Sequence, residues 1–444
     1  MQQADLIIKS GQLVTPSGVY NGDVVCKGGK IVALNAHGWR ADQVINAAGL
    51  HVLPGVIDSQ VHFREPGLEH KETLEAGTRG AVLGGVTGIF EMPNTHPLTL
   101  DADDLGDKLQ RMEEGAWCNY AFYMGGSADN VDQLAALEQL PGCAGVKVFM
   151  GSSFGSLLAD DDELLEKILL AGKRRMAVHA EDEQRLRARK ETICQSGNVE
   201  DHPNWRDVES ALNATRRILR LAEKTGRRLH LLHITSAEEM ALLAQHKSRV
   251  TVEVTPHHLT MEAPDCYQRL GSLAQMNPPV RSRRHQDALW QGIRDGVVDV
   301  IGSDHAPHTL EEKARPWPES PSGMTGVQTL LPVMLNHLNA GRLSLQRLVD
   351  LTSAGPARIF GLEGKGRIAL GFDADLTLVD LAAKRQISND QIASVAGWSP
   401  YDGMDITGWP IATVIGGHCV MREDELQGAP VGRAFRFLDA TRAE

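Results

Sequence analysis

His62, Lys147, His179, His233 and Asp304 share one setting: each stands in or at the end of a stretch that is otherwise apolar. A single histidine in an apolar strand is ordinarily a hydrogen-bonded core residue. Polar groups that end several strands of one barrel converge at its mouth. Imidazole and carboxylate suit a borderline divalent ion such as zinc, and an open coordination position makes such a site catalytic. Lys147, in Val146-Lys147-Val148-Phe149, is the odd member. An amine inside an apolar strand is desolvated, so its pKa falls. A neutral amine can add carbon dioxide and become a carbamate, an anionic ligand with two oxygens. Alternatively, its head reaches a carboxylate at the barrel mouth. Both readings fit the spacing.

The elements that must position these residues follow one rhythm. Strands are predicted at 55–62, 85–92, 119–124, 145–150, 175–179, 228–234, 249–255 and 297–303, separated by segments with helical spacing of apolar residues. Asp162–Leu170 carries acids in its first turn. The segment from Asp207 to Thr225 stops at Gly226, a suitable C-cap. Ser236 with Glu239 predicts a capping box. Eight strand–helix units over about 250 residues define a (β/α)8 TIM barrel. A doubly wound sheet fits the alternation too, but it gathers its ligands at one crevice, whereas here nearly every strand end is polar. Before the barrel, residues 1–54 read as short strands with Gly-rich turns, and 361–444 return to that pattern. The expected fold is therefore α/β. A barrel over 55–360 is flanked by a small β-sandwich that the N- and C-terminal segments build together.

Composition narrows the function. A formal charge of −12 over 444 residues disfavours nucleic-acid binding, which requires clustered Lys and Arg. No apolar run approaches the roughly 20 residues that span a bilayer. The six cysteines contain no CxxC pair, which suggests reduced thiols and a cytoplasmic setting. The expected partner is a small molecule, with no nucleic acid and no membrane.

The chain resembles a cyclic amidohydrolase of the urease-related superfamily, and within it a dihydroorotase. The resemblance rests on His62-Phe63-Arg64-Glu65-Pro66-Gly67, Glu91-Met92-Pro93-Asn94-Thr95, Gly145-Val146-Lys147-Val148-Phe149, Val178-His179-Ala180-Glu181, His230-Leu231-Leu232-His233, Met276-Asn277-Pro278-Pro279-Val280-Arg281 and Ser303-Asp304-His305-Ala306-Pro307-His308. These motifs occur in family order across nearly the whole chain. The resemblance implies one or two zinc ions on His62, His179, His233, Asp304 and Lys147 as its carbamate. It also implies a metal-bound hydroxide as nucleophile, with Asp304 as general base and then acid. Reversible hydrolysis of dihydroorotate to N-carbamoyl-aspartate would follow, as a step of pyrimidine biosynthesis. Arg64, Asn94 and His308 would hold the substrate carboxylate, Asn277 the ring amide edge, and Gly323 would approach the ring through its backbone. A planar guanidinium forks onto a carboxylate in a way lysine does not reproduce. The plainer alternative for Arg64 is an ion pair with Glu65 or Glu91. His257 and His258 are expected to be supporting or structural, and His305 to pack or hydrogen-bond behind Asp304. A homo-oligomer is expected. Allantoinases and hydantoinases share the scaffold and are the nearest alternatives.

One position departs from the family pattern. The usual first motif is Asp-x-His-x-His, and here Gln60 replaces the first histidine. An amide oxygen is a neutral, weaker donor to zinc than imidazole. Three outcomes follow: a two-metal enzyme with one loosened site, a one-metal enzyme, or a weakly active companion of aspartate transcarbamoylase. Retention of Arg64, Asn94 and Asp304 speaks against the last.

Overall fold

The computed structural model describes residues 1–151 and 155–439; the end of the C-terminal segment, 440–444, lies outside the described residues. Five strands open the chain: β1 (Gln2–Thr15), β2 (Gly18–Lys27), β3 (Lys30–Ala33), β4 (Trp39–Asn46) and β5 (His51–Pro54). Eight form the barrel: β6 (Val56–Val61), β7 (Val86–Glu91), β8 (Asn119–Gly125), β9 (Cys143–Phe149), β10 (Met176–His179), β11 (Leu229–Leu231), β12 (Val250–Val254) and β13 (Val300–Ile301). Four more follow: β14 (Leu376–Gln386), β15 (Asp405–Ile415), β16 (His418–Arg422) and β17 (Glu425–Leu426).

Strands β6 to β13 pair in sequence order, all parallel, and each is buried along its whole length. That is why they read as continuous apolar runs rather than alternating ones. The ring closes where Val61 bridges His305 and the His62 N–H donates to the His305 carbonyl at 2.7 Å. Two strands are less than half the length predicted: β11 ends at Leu231, two residues before His233, and β13 ends at Ile301, three before Asp304. His233 and Asp304 adopt left-handed backbone, φ 37° and 50°, which leaves the ladder and turns the side chain.

The helices form as their sequence signals require. Asp207 caps Val208–Thr225 by accepting from the Ser210 N–H, and Gly226 ends it at φ 77°. Ser236 caps Ala237–Leu243 through the Glu239 N–H. The expected reciprocal box is not formed, because the Glu239 carboxylate accepts from the hydroxyls of Ser236 and Thr215 instead.

The terminal segments make one nine-stranded sheet in the order β17-β16-β15-β14-β5-β1-β2-β3, with β4 on β1. Strand β5 joins the halves, parallel to β1 and antiparallel to β14. Leu6, Val24, Val52, Leu376 and Val414 share the core of this flanking unit.

Candidate active site

The metal- and substrate-binding candidates named from the sequence line one cavity of about 210 Å³ at the C-terminal ends of the barrel strands. His62, Lys147, His179, His233 and Asp304 are joined there by Gln60. Arg64, Asn94, Asn277, His308 and Gly323 complete the lining. Three of the positive-φ non-glycine residues, Arg64, His233 and Asp304, belong to this set. Strained backbone at a cavity is how a fold aims side chains that ordinary strand geometry would turn away.

The histidines meet in a specific way. His179 Nε2 donates to Glu181, whose carboxylate is gripped by the Arg206 guanidinium. This leaves His179 Nδ1 to face His233 Nε2 at 3.0 Å, while His233 Nδ1 is buried without a partner. His62 contacts Asn94 Oδ1 through Nδ1 at 2.7 Å and turns Nε2 to Asp304 Oδ1 at 3.2 Å. Burial lowers the pKa of all three imidazoles, so they stay neutral near pH 7, the form that ligates a metal. Burial opposes Glu181's charge, yet Arg206 and His179 hold its carboxyl well below the usual carboxylate range.

Lys147 resolves differently from the plainer expectation. Among the described residues no carboxylate pairs with it; its ammonium lies 4.3 Å from the centre of the Phe149 ring. Burial lowers its pKa to about 7, against the opposing pull of Asp304 and Glu253. Its charge is also felt at His179 and His233. Arg64 likewise escapes its alternative, since Glu65 pairs with Arg111 and Glu91 with Lys108. The Arg64 Nε–H donates to the Pro307 carbonyl at 3.2 Å, and its Nη2 lies 3.3 Å from His308 Nε2.

The neighbouring histidines His257, His258 and His305 do not line the cavity. His257 contacts the Tyr401 hydroxyl at 2.9 Å and stacks on its ring, and His258 bonds the Pro278 carbonyl at 2.9 Å. His305 sits behind Asp304 against Glu72 at 3.1 Å.

Sequence reasoning missed the support behind the site. Glu181 stands two residues beyond His179, the spacing that puts two strand residues on one face; that signal was available. Lys313 was not singled out. Its ammonium donates to the carbonyls of Gln275, Pro321 and Gly323 at 3.2, 2.9 and 3.1 Å and so holds the cavity wall.

Among the described residues no three His, Cys, Asp or Glu side chains converge into a cluster that would hold a metal by themselves. The donors come instead as two pairs, His179–His233 and His62–Asp304. Their separations of 3.0 and 3.2 Å suit neighbouring ligands of one tetrahedral ion, whose bonds of about 2.0–2.1 Å set such ligands roughly 3.3 Å apart. Each pair lacks a third donor, and Lys147 lines the same cavity. The donor set therefore fits a metal once Lys147 contributes.

Fold and cavity together define a barrel enzyme with imidazole, amine and carboxylate groups at its strand ends. Residues 51–420 match the amidohydrolase family, and the chain belongs to it. Enzymes of this family are generally metal-dependent. The chain is 33% identical to a dihydroorotase from Methanosarcina acetivorans, over 98% of this chain and 96% of the relative. It is 35% identical to an allantoinase from Deinococcus radiodurans, over 97% and 98%. Among solved structures, an L-hydantoinase (dihydropyrimidinase) from Arthrobacter aurescens superposes with a TM-score of 0.93 at 31% identity, covering 98% of this chain and all of that one. The chain is accordingly a cyclic amidohydrolase. No helix among the described residues is long and apolar enough to cross a membrane.

Proposed function

We propose that the chain is a dihydroorotase, catalysing the reversible hydrolysis of dihydroorotate to N-carbamoyl-aspartate. The observation that carries this reading is the placement of Arg64 and His308. They stand together in the cavity that holds His62, Lys147, His179, His233 and Asp304, and no carboxylate of Glu65 or Glu91 claims the guanidinium. A cyclic amide bearing a carboxylate uses both halves of such a cavity.

His62, His179, His233, Asp304 and a carbamate of Lys147 would hold one or two zinc ions. A zinc ion held there supplies Lewis acidity, polarising the amide carbonyl and acidifying water. The remaining N–H groups of Arg64 fork onto the substrate carboxylate, with Asn94 and His308 beside it. Asn277, whose Oδ1 lies 3.1 Å from His202 Nε2, meets the ring's amide edge. Gly323 is needed bare: a Cβ there would fall 2.2 Å from the Ala306 carbonyl and 3.0 Å from the His308 ring, and its φ is 146°. Asp304 takes the proton of the attacking water and returns it to the departing ring nitrogen.

The second reading is a hydantoin-ring hydrolase, favoured by the allantoinase and L-hydantoinase relatives. The chain loaded with zinc and bicarbonate is expected to turn over dihydroorotate and not hydantoin or allantoin. Arg64→Lys should lower kcat/KM for dihydroorotate about 10–100-fold, the worth of a charged hydrogen-bond pair. Turnover of hydantoin or allantoin alone would overturn the substrate assignment. Absence of turnover on all three would favour the companion of aspartate transcarbamoylase.

A further inference from the structure

Gln60 is held with unusual firmness for a residue that breaks a motif. It lies where the pairing of β6 with β7 shifts register, between Asp58 and Val61. Its own N–H donates to Asp58 Oδ1 at 3.2 Å, and the same carboxylate oxygen accepts from the Ser303 N–H at 2.9 Å. The backbone is thereby pinned between the first and last strands of the barrel, and the side chain, 1% exposed, points into the cavity.

What that side chain does is donate. Gln60 Nε2 gives its N–H to Asp304 Oδ1 at 3.0 Å. This is the oxygen that also faces His62 Nε2 at 3.2 Å, so the atom best placed to ligate beside His62 is already hydrogen-bonded. The side-chain oxygen of Gln60, Oε1, is buried with no partner among the described residues. Flipping the amide to turn that oxygen toward Asp304 and His62 would set a carbonyl against the Asp304 carboxylate and forfeit the N–H bond. The His179–His233 pair is bonded only within itself, Nδ1 to Nε2 at 3.0 Å, with no third residue on either atom among the described residues, and Glu181 with Arg206 fixes the orientation of His179.

We propose that Gln60 is a hydrogen-bond donor that positions Asp304 and not a metal ligand, so that this chain holds a single tightly bound zinc, on the His179–His233 side. The inference rests on the family's metal site and deepens the proposed function, but it is independent of which cyclic amide is hydrolysed. It also assigns Asp304 a fixed place as a proton carrier, with one oxygen oriented from both sides.

The test is a count of ions. The full chain is stripped with a chelator, reloaded with zinc and bicarbonate, desalted into metal-free buffer and analysed for zinc by mass spectrometry. A chromophoric chelator in competition reports how tightly each ion is held. About one tight zinc per chain is expected for the wild type, with Gln60→His rising to about two as the imidazole completes the first site. Gln60→Met, similar in length but without an amide, should keep one. Two tight ions in the wild type would overturn the proposal, as would loss of zinc in Gln60→Met, which would make the amide a ligand. A wild-type chain that keeps no zinc overturns it as well. Because the count needs no substrate, one tight zinc with hydantoin turnover would retain this inference and sink only the dihydroorotate assignment.

Discussion

His179 can offer its Nδ1 to the cavity because its other ring nitrogen is committed to Glu181. That carboxylate stays ionised in full burial because Arg206 forks onto it. Replacing Glu181 with Gln keeps the shape and removes the charge, so the imidazole loses both its fixed tautomer and part of its basicity. Zinc affinity should fall about 10–100-fold, measured by competition with a chelator of known affinity. Unchanged affinity would show that His179 is oriented by packing alone. At this scale the sequence was informative where a residue announces its role locally. His62 and His179 end apolar runs, and Lys147 interrupts one. It was silent where the partner is remote. Arg206 lies 25 residues from Glu181, and Asp304 lies 244 from Gln60. No periodicity connects them; only the closed barrel does.

The eight barrel strands were legible because a strand buried on both faces must be apolar throughout. Their ends were less so, since the left-handed turns at His233 and Asp304 are imposed by the cavity and leave no compositional mark. The wall after Asp304 shows the same limit. Thr309 and Glu312 cap the short helix Leu310–Lys313 reciprocally, a pattern any reader of sequence would find. The function of that helix, to bring the Lys313 ammonium under the carbonyls of Gln275, Pro321 and Gly323, is invisible until the loops are folded. Lys313→Met should therefore loosen the wall that carries Gly323, raising KM for dihydroorotate by about tenfold, the loss of roughly one hydrogen bond's worth of positioning, with kcat nearly kept. A matching fall in kcat would instead indicate a role in the chemical step. The same variant has a stability signature. Burial lowers the Lys313 pKa from 10.5 to about 7, so between those values the unfolded chain binds more protons than the folded one. Stability gained from this group rises with pH across that window, by at most about 1.4 kcal/mol per pH unit, and is absent below about pH 7. Denaturant unfolding from pH 7 to 10 should show a flatter rise in Lys313→Met than in the wild type.

The barrel and the flanking sheet act as one molecule through the barrel's lower end, opposite the active site. After β17 the chain does not trail away as a tail but returns to the barrel: the Tyr120 N–H donates to the Arg433 carbonyl at 3.1 Å, and the Phe435 N–H to the Tyr120 carbonyl at 2.8 Å. Phe435 then enters the barrel floor and meets Phe90 edge to face at 5.6 Å, with Phe360 on the same ring at 4.9 Å. Gly88 makes room, for a Cβ there would stand 2.2 Å from the Phe435 ring. Polar ties add to this floor, since Asn119 at the start of β8 donates to Asp375, which also takes the Lys365 ammonium and the Gly416 N–H. A segment without regular secondary structure is therefore a plug, and composition gives no hint of it because two phenylalanines among charged residues fit a surface turn equally well. Phe435→Ala should cost about 3–5 kcal/mol as a floor cavity opens, lowering the thermal midpoint by about 3–5 °C. Because the plug lies at the N-terminal ends of the strands and the substrate at their C-terminal ends, KM and kcat measured well below the midpoint should stay within about twofold of wild type, the scatter expected of independent sites. A large loss of activity at unchanged thermal midpoint would instead mean that the floor transmits strain through β7 and β8 to the site above.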